Sequence, residues 1–379
     1  MKKRSLIIII ASAMFVAMLS LGTVFKPDVE FSENENRFLQ KAPELSLETV
    51  ANGRFESKFE TYLSDQIIGR ESWVKTKGLT EAALGIHDMN GVYLCKGGRA
   101  VERTTEVDFD WEGFGRNINQ IKELSDALSA DGIPVYTMLI PTSAYIYKDE
   151  LPRNAMVFDE DKAFLQLENQ LDKGVIDLRE VMQKSIERRN VFFKTDHHWT
   201  GFGAFLGYKE FIAKYYGDKS LKGISYEETH PEKLCNDFKG SLYSKVLINT
   251  LGTDTIETPA LGLNLDYRVT IEGKEYNSLY FKKYLEKKDK YSVFFGGNYD
   301  QVDIETSSPK DQNLLIIKDS FANSLVPFLL NDFRKITMID TRFYRGNVSE
   351  LSKEYDGVLV IYSINKFAEE KLSLSDSLI

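Results

Sequence analysis

Cysteine and histidine are scarce: the 379-residue chain carries two of the first and four of the second. Cys95 and Cys235 stand far apart in sequence and belong to no metal-ligand spacing, so no cysteine-based metal module organises the chain. In an oxidising compartment the two thiols have the option of pairing; otherwise they read as independent packing residues. An excess of positive charge is also missing. Lys and Arg number 48 against 57 Asp and Glu, a formal net charge of -9, which argues against nucleic acid as a partner. The one basic run after the amino terminus, 282–290, is broken by Glu286 and Asp289 and reads as a solvated face.

Long apolar runs are rare as well, and the clearest lies at the start. Lys2, Lys3 and Arg4 precede an uncharged stretch, 5–25, long enough to span a bilayer as a helix. The positive flank places the amino terminus in the cytoplasm and the rest of the chain outside. A cleaved signal is the alternative, with Ser20 and Gly22 as weak cleavage-site residues, in which case the protein is secreted. The anchor is the preferred reading of 1–25, followed by a mostly polar linker, 26–46, and one large domain, 47–379.

With 42% hydrophobic and 12% aromatic residues, that domain can bury a real core. Residues 47–84 have helical periodicity through Phe55, Phe59, Tyr62, Leu63 and Ile67. A hairpin is predicted over 91–101, turning at Lys96-Gly97-Gly98, as a structural edge. The patterns then alternate: helix 111–130, strand 135–140, helix 161–171, a short apolar segment 174–178, helix 179–189 and a brief strand 191–193. Such alternation predicts an α/β fold, a parallel sheet with helices on both faces. From about 224 to 312 the character changes, and the segment reads as an insertion, part irregular and part β. Strands 336–339 and 358–362 resume the pattern.

The stretch LLIIKDSFANSLVPFLL, 314–330, organises the rest. Its first four residues form an apolar run of the kind found in a central strand covered on both faces. The run stops at Lys318-Asp319-Ser320, and a short helix bent by Pro327 is predicted to follow. Strand ends and helix starts meet in one crevice in open α/β sheets, so Ser320 is a candidate nucleophile. An ordinary helix N-cap is the competing role. A serine nucleophile needs a base, a carboxylate to orient it, and donors for the oxyanion. Residues 191–203, VFFKTDHHWTGFG, supply the first two: Asp196 and His198, at spacing i, i+2, can meet through the histidine's second ring nitrogen. His197 would point the other way in an extended segment. A metal site on Asp196, His197 and His198 lacks an obvious further ligand, so none is expected. His87 and His230 stand alone and read as ordinary surface or packed residues.

This arrangement resembles the SGNH hydrolases. Asp196-His197-His198-Trp199 is the signature of the DHHW family, and the chain is similar to the AlgX/AlgJ-like alginate O-acetyltransferase branch. The resemblance also rests on Asn90-Gly91-Val92-Tyr93, Phe295-Gly296-Gly297-Asn298, Lys318-Asp319-Ser320 with Ala322-Asn323-Ser324, and Asp340-Thr341-Arg342. It implies a three-layer α/β/α domain with circularly permuted motif order, because the Asp-x-His turn precedes Ser320 instead of following it. It implies oxyanion donors at Asn365, at the backbone near Arg342 and at the N–H after Ser320. Asn298 would border the crevice. Trp199 reads most simply as packing, with sugar stacking as the other option. The implied activity is acetyl transfer through acyl-Ser320 to a secreted or cell-wall polysaccharide, without cofactor, the acetyl group arriving from a membrane-bound O-acyltransferase. A carbohydrate acetyl esterase and a non-catalytic polysaccharide-binding or assembly protein are the alternatives.

Overall fold

The computed structural model describes residues 2–32, 34–35, 37–171, 174–217, 224–260 and 265–374; Met1 of the expected anchor, 33 and 36 of the linker, 261–264 of the expected insertion and 375–379 of the large domain lie outside them. The chain forms two compact units, residues 1–90 with 243–249, and 91–242 with 250–379.

In the first unit, helix Lys2–Phe25 contains a stretch, Arg4–Phe25, long and apolar enough to cross a membrane. The expected helical region 47–84 is three helices, Leu47–Ala51, Arg54–Gln66 and Arg70–Ala83. They are separated at Gly53 and Gly69, both at φ 71°, a conformation that costs little only for glycine. Part of the polar stretch 26–46 is tied down: buried Asp65 accepts from Arg37 Nη1 (3.0 Å) and Gln40 N (2.9 Å), and Gln66 Oε1 accepts from Val29 N (2.9 Å).

The second unit is built on seven strands: β1 (Val135–Ile140), β2 (Tyr267–Ile271), β3 (Lys274–Tyr276), β4 (Gln301–Thr306), β5 (Asn313–Lys318), β6 (Lys335–Ile339) and β7 (Gly357–Ser363). Their order is β3-β2-β4-β6-β5-β7-β1. The four neighbours β6, β5, β7 and β1 are parallel, as the alternating pattern predicts. The other three strands pair antiparallel, so the sheet is mixed, and the segment read as an insertion extends it. The reason is in the connections. Gly273, at φ 72°, turns β2 straight back into β3, a hairpin that can only pair antiparallel, and β4 then pairs antiparallel with both β2 and β6. Segments 174–178 and 191–193 contribute only single bridges, Thr137 to Val175 and Phe192 to Trp199.

Helices cover both faces. Leu314 and Ile316 of β5 enter a core with Phe205 and Phe211 of α3 (Gly201–Tyr215) and Leu325 and Phe328 of α4 (Ala322–Leu329). Leu315 and Ile317 enter the opposite core with Phe114 and Leu124 of α1 (Trp111–Ser129), Phe164 of α2 (Glu160–Leu171) and Phe367 of α5 (Ile364–Glu369). All four β5 side chains are fully buried, worth on the order of 2 kcal/mol each by area. α4 runs through Pro327 and stops two residues later, which keeps it short as expected. The hairpin is present, Val92–Cys95 against Arg99–Glu102, and neither Cys95 nor Cys235 is in a disulfide.

Candidate active site

Register sets where the site lies. Lys318 at the end of β5 pairs with Ile361 in β7, and Ser363 pairs with Ile140 in β1, so Ser320 and Ser363 leave the sheet at one level. The Asp319 carboxylate ties the two strand ends together. It accepts from Phe321 N at 2.9 Å with one oxygen, and from Ser363 N (2.8 Å) and Ser363 Oγ (3.0 Å) with the other. α4 starts at Ala322 without a side-chain cap, so Ser320 does not serve as one.

The Asp196 loop is held from behind by buried polar groups, because a non-repetitive segment must find its hydrogen bonds outside itself. Arg99, 1% exposed, donates to the carbonyls of Phe192 and Phe193 (3.1 and 3.3 Å) and to Asn190 Oδ1 (2.7 Å). Asp254 accepts from Lys194 N, Thr195 N and Thr195 Oγ1 at 2.9, 2.8 and 2.6 Å. The 92–102 hairpin, which lies in a separate three-stranded sheet and not at an edge of the main one, thus supports the loop through Arg99, and Thr200 caps α3 by accepting from Gly203 N, which ends the loop.

These supports bring Asp196, His198 and Ser320 into one chain. Asp196 Oδ1 lies 2.6 Å from His198 Nδ1, and His198 Nε2 lies 2.7 Å from Ser320 Oγ. An ionised carboxylate only accepts, so Nδ1 carries the proton and Nε2 is left to accept from the serine hydroxyl. Burial pushes Asp196 upward, but the neighbouring His197 and His198 imidazoles and the Ser241 N–H, at 2.7 Å, hold it well below the usual carboxylate range. Burial lowers His198 from its ordinary value and His197 adds to this, against the opposing pull of Asp196. A neutral imidazole beside an ionised carboxylate results.

Asp196, His197 and His198 offer ligand atoms within 4.8 Å of one another, as a metal site would. Both His198 nitrogens are spent on Asp196 and Ser320, however, and His197 Nδ1 lies 2.6 Å from Ser241 Oγ. The donor set favours the hydrogen-bonded chain.

Other expected residues fall differently. Trp199 is fully buried, donating from Nε1 to Phe321 O (3.1 Å) and Ser324 Oγ (2.8 Å), so it packs and cannot stack a sugar. Asn298 accepts at 2.6 Å from Lys318 Nζ, a buried amine that also reaches Asn323 Oδ1 at 2.9 Å. Burial lowers Lys318 to about 8, against the pull of Asp340 and Asp319. The Arg342 guanidinium is clamped on fully buried Asp340 at 2.8 and 2.6 Å. The three expected oxyanion donors are all engaged: Phe321 N on Asp319, Arg342 N on Asp340 Oδ1 at 3.2 Å, and Asn365 Nδ2 on Thr104 Oγ1 at 2.8 Å.

Sequence reasoning missed Tyr291, whose ring stacks on His198, and the pair Gly240-Ser241. A Cβ on Gly240 would lie 2.2 Å from Asp196 Oδ2, so only glycine fits there. The Gly-Ser pair is a visible signal in the sequence; a lone tyrosine is none.

The comparisons agree with this architecture. The Eubacterium siraeum DHHW family protein superposes with TM-score 0.61 at 22% identity, covering 74% of this chain and 93% of that one. Bacillus cereus PatB1, in its structure with a sulfonyl adduct, gives TM-score 0.61 at 20% identity over 75% and 97%. The protein named probable alginate O-acetylase AlgJ, from Pseudomonas syringae pv. tomato, is 24% identical over 227 residues, 56% of this chain and 55% of that protein. The match thus spans about half the length of that relative. A family model described as DHHW protein matches residues 112–339, which takes in the Asp196 loop and the Ser320 turn, and the chain belongs to the DHHW family.

Proposed function

We propose that this protein is an extracytoplasmic serine-dependent O-acyltransferase that moves acetyl groups onto a polysaccharide. The observation that carries the reading is the continuous chain Asp196–His198–Ser320, with spacings of 2.6 and 2.7 Å. The AlgJ relative, named for polysaccharide acetylation, supports the group transferred and the class of acceptor.

In the first half-reaction Ser320 Oγ attacks the carbonyl of an acetyl donor while its proton passes to His198 Nε2; the donor's leaving group departs with that proton, leaving acetyl-Ser320. In the second, His198 Nε2 takes the proton of an acceptor hydroxyl, whose oxygen forms the new ester. Collapse returns the proton to Ser320 Oγ. The Asn365 amide has a second N–H besides the one on Thr104, so it stays the side-chain candidate for the oxyanion in this reading. Such a donor contributes about 3 kcal/mol. Phe321 N and Arg342 N, bound to carboxylates, are discounted.

The same reading takes Arg4–Phe25 as a membrane anchor with the catalytic unit outside, a membrane-bound O-acyltransferase as acetyl source, and the Asp-x-His turn before the serine as a permuted SGNH order. The test is intact mass of the full chain in detergent with a chromogenic acetyl ester. An acetyl adduct on wild type that is missing from Ser320→Ala supports the reading, and equal ester cleavage by both overturns it.

A further inference from the structure

The carboxyl edge of the sheet carries a small recess besides the Ser320 group. Its lining includes Glu102, Thr104, Thr142, Tyr145, Phe158 and Glu160. Thr104 Oγ1 is the atom that accepts from Asn365 Nδ2, and Asn365 Oδ1 is buried with no hydrogen-bond partner. Glu160, 3% exposed, accepts from Thr142 N (3.1 Å) and Thr142 Oγ1 (2.7 Å) and fixes that wall. Phe158 is braced from behind by Phe109, ring to ring at 4.1 Å and 8°. Hydroxyls, carboxyls and a rigid aromatic face are what a sugar hydroxyl and its carbon need.

Size and position narrow this. The recess has a volume of about 20 Å³, enough for one water-sized group and too small for a pyranose ring. Ser320 lies level with Ser363, and Ser363 with Ile140, two residues before Thr142, so the recess is roughly 10 Å across the strands from the serine. That exceeds the reach of hydroxyls on one ring and suits two consecutive rings of a chain. The lining contains no basic side chain to pair with a carboxylate, which disfavours a uronate.

We infer that this recess is an acceptor subsite, holding one exocyclic hydroxyl of a neutral sugar residue next in the chain to the one acetylated. This rests on the acetyl-Ser320 reading above. On transfer the Ser320 ester bond breaks, the neighbouring sugar's oxygen takes the acetyl group, and its proton returns to Ser320 Oγ through His198 Nε2.

The test uses the full chain in detergent, p-nitrophenyl acetate as donor, and N-acetylglucosamine, chitobiose, chitotriose and trimannuronate as acceptors, with mass spectrometry of protein and sugars. Chitobiose and chitotriose should be acetylated about tenfold better than the monosaccharide or trimannuronate. Thr104→Val should lower the ratio of transfer to hydrolysis by about tenfold, the scale of one lost hydrogen bond, and Thr104→Ser should restore it. Acetyl-Ser320 that is resolved equally by all four sugars, or by none of them, or at the same ratio in folded Thr104→Val, overturns the subsite alone. Absence of acetyl-Ser320 overturns the catalytic reading and the subsite with it.

Discussion

The phenol ring of Tyr291 lies almost parallel to the His198 imidazole, 3.7 Å between centroids and 11° between planes. Its hydroxyl continues to Ser324 Oγ (3.1 Å) and to the Ser320 carbonyl (3.3 Å). One side chain thus touches the face of the histidine and the backbone of the serine. The two hydrogen bonds along the imidazole edge do not fix the ring's rotation about the line joining them; the Tyr291 stack and the His197 ring, 3.9 Å between centroids, limit it.

Replacing Tyr291 should separate these roles. Tyr291→Leu removes the stack and is expected to slow acetyl-ester cleavage on the order of tenfold, the scale of one aromatic pair. Tyr291→Phe keeps the ring and should lose less. Burst kinetics of the two variants, compared with their melting temperatures, check this; equal losses would show that the hydroxyl, not the ring, matters.

The Ser320, His198 and Asp196 groups should behave as a unit. Ser320→Ala and His198→Ala are each expected to lose on the order of 10⁴ in turnover, and the double variant little more than either. Initial rates with a chromogenic acetyl ester measure it, and additive losses would mean that the residues act separately.

Gly240 should tolerate no side chain. In Gly240→Ala the new Cβ would meet Asp196 Oδ2 at 2.2 Å and Asp196 Cβ at 2.3 Å, and Asp196, 4% exposed, has nowhere to go. A stability loss of about 1–3 kcal/mol is expected, with a fall in activity larger than the unfolded fraction explains. Ser241→Ala keeps the backbone N–H that Asp196 accepts and should stay within a few-fold of wild type. Denaturant melts alongside ester cleavage test both.

The pH dependence follows from His198. Because burial lowers it from 6.5, the base stays neutral below the usual histidine range, so the acid limb of acylation should fall at a pH below 6.5. Below 6.5 the unfolded chain binds a proton at this position that the folded chain refuses, so stability drops as pH falls from 6.5 toward the folded value. Asp196, held low, acts in the same direction at more acid pH. In His198→Gln the first part of that slope should disappear from a plot of melting temperature against pH.

Much of this was legible in advance. The apolar run 314–317 announced a strand buried on both faces, and its alternate side chains do enter two separate cores. The i, i+2 spacing of Asp196 and His198 announced their contact, since two residues of one turn need little from the rest of the chain. A threonine directly before Gly201, a residue type that favours N-caps, marks where helix α3 begins.

Other features had no local signal. The partners His198 and Ser320 are 122 residues apart, and only the pairing of strands and the Arg99 and Asp254 supports decide that they meet at 2.7 Å. The antiparallel strands β2 to β4 follow from how the chain returns to the sheet edge, the burial of Trp199 from what covers it, and the engagement of Phe321 N and Arg342 N from carboxylates folded back onto their turns. Periodicity and spacing determine which face of a segment is apolar and which neighbours along the chain can touch. Whether a donor is spent, a ring is stacked or a glycine is obligatory depends on the segment packed against it, and that was settled only when the chain folded.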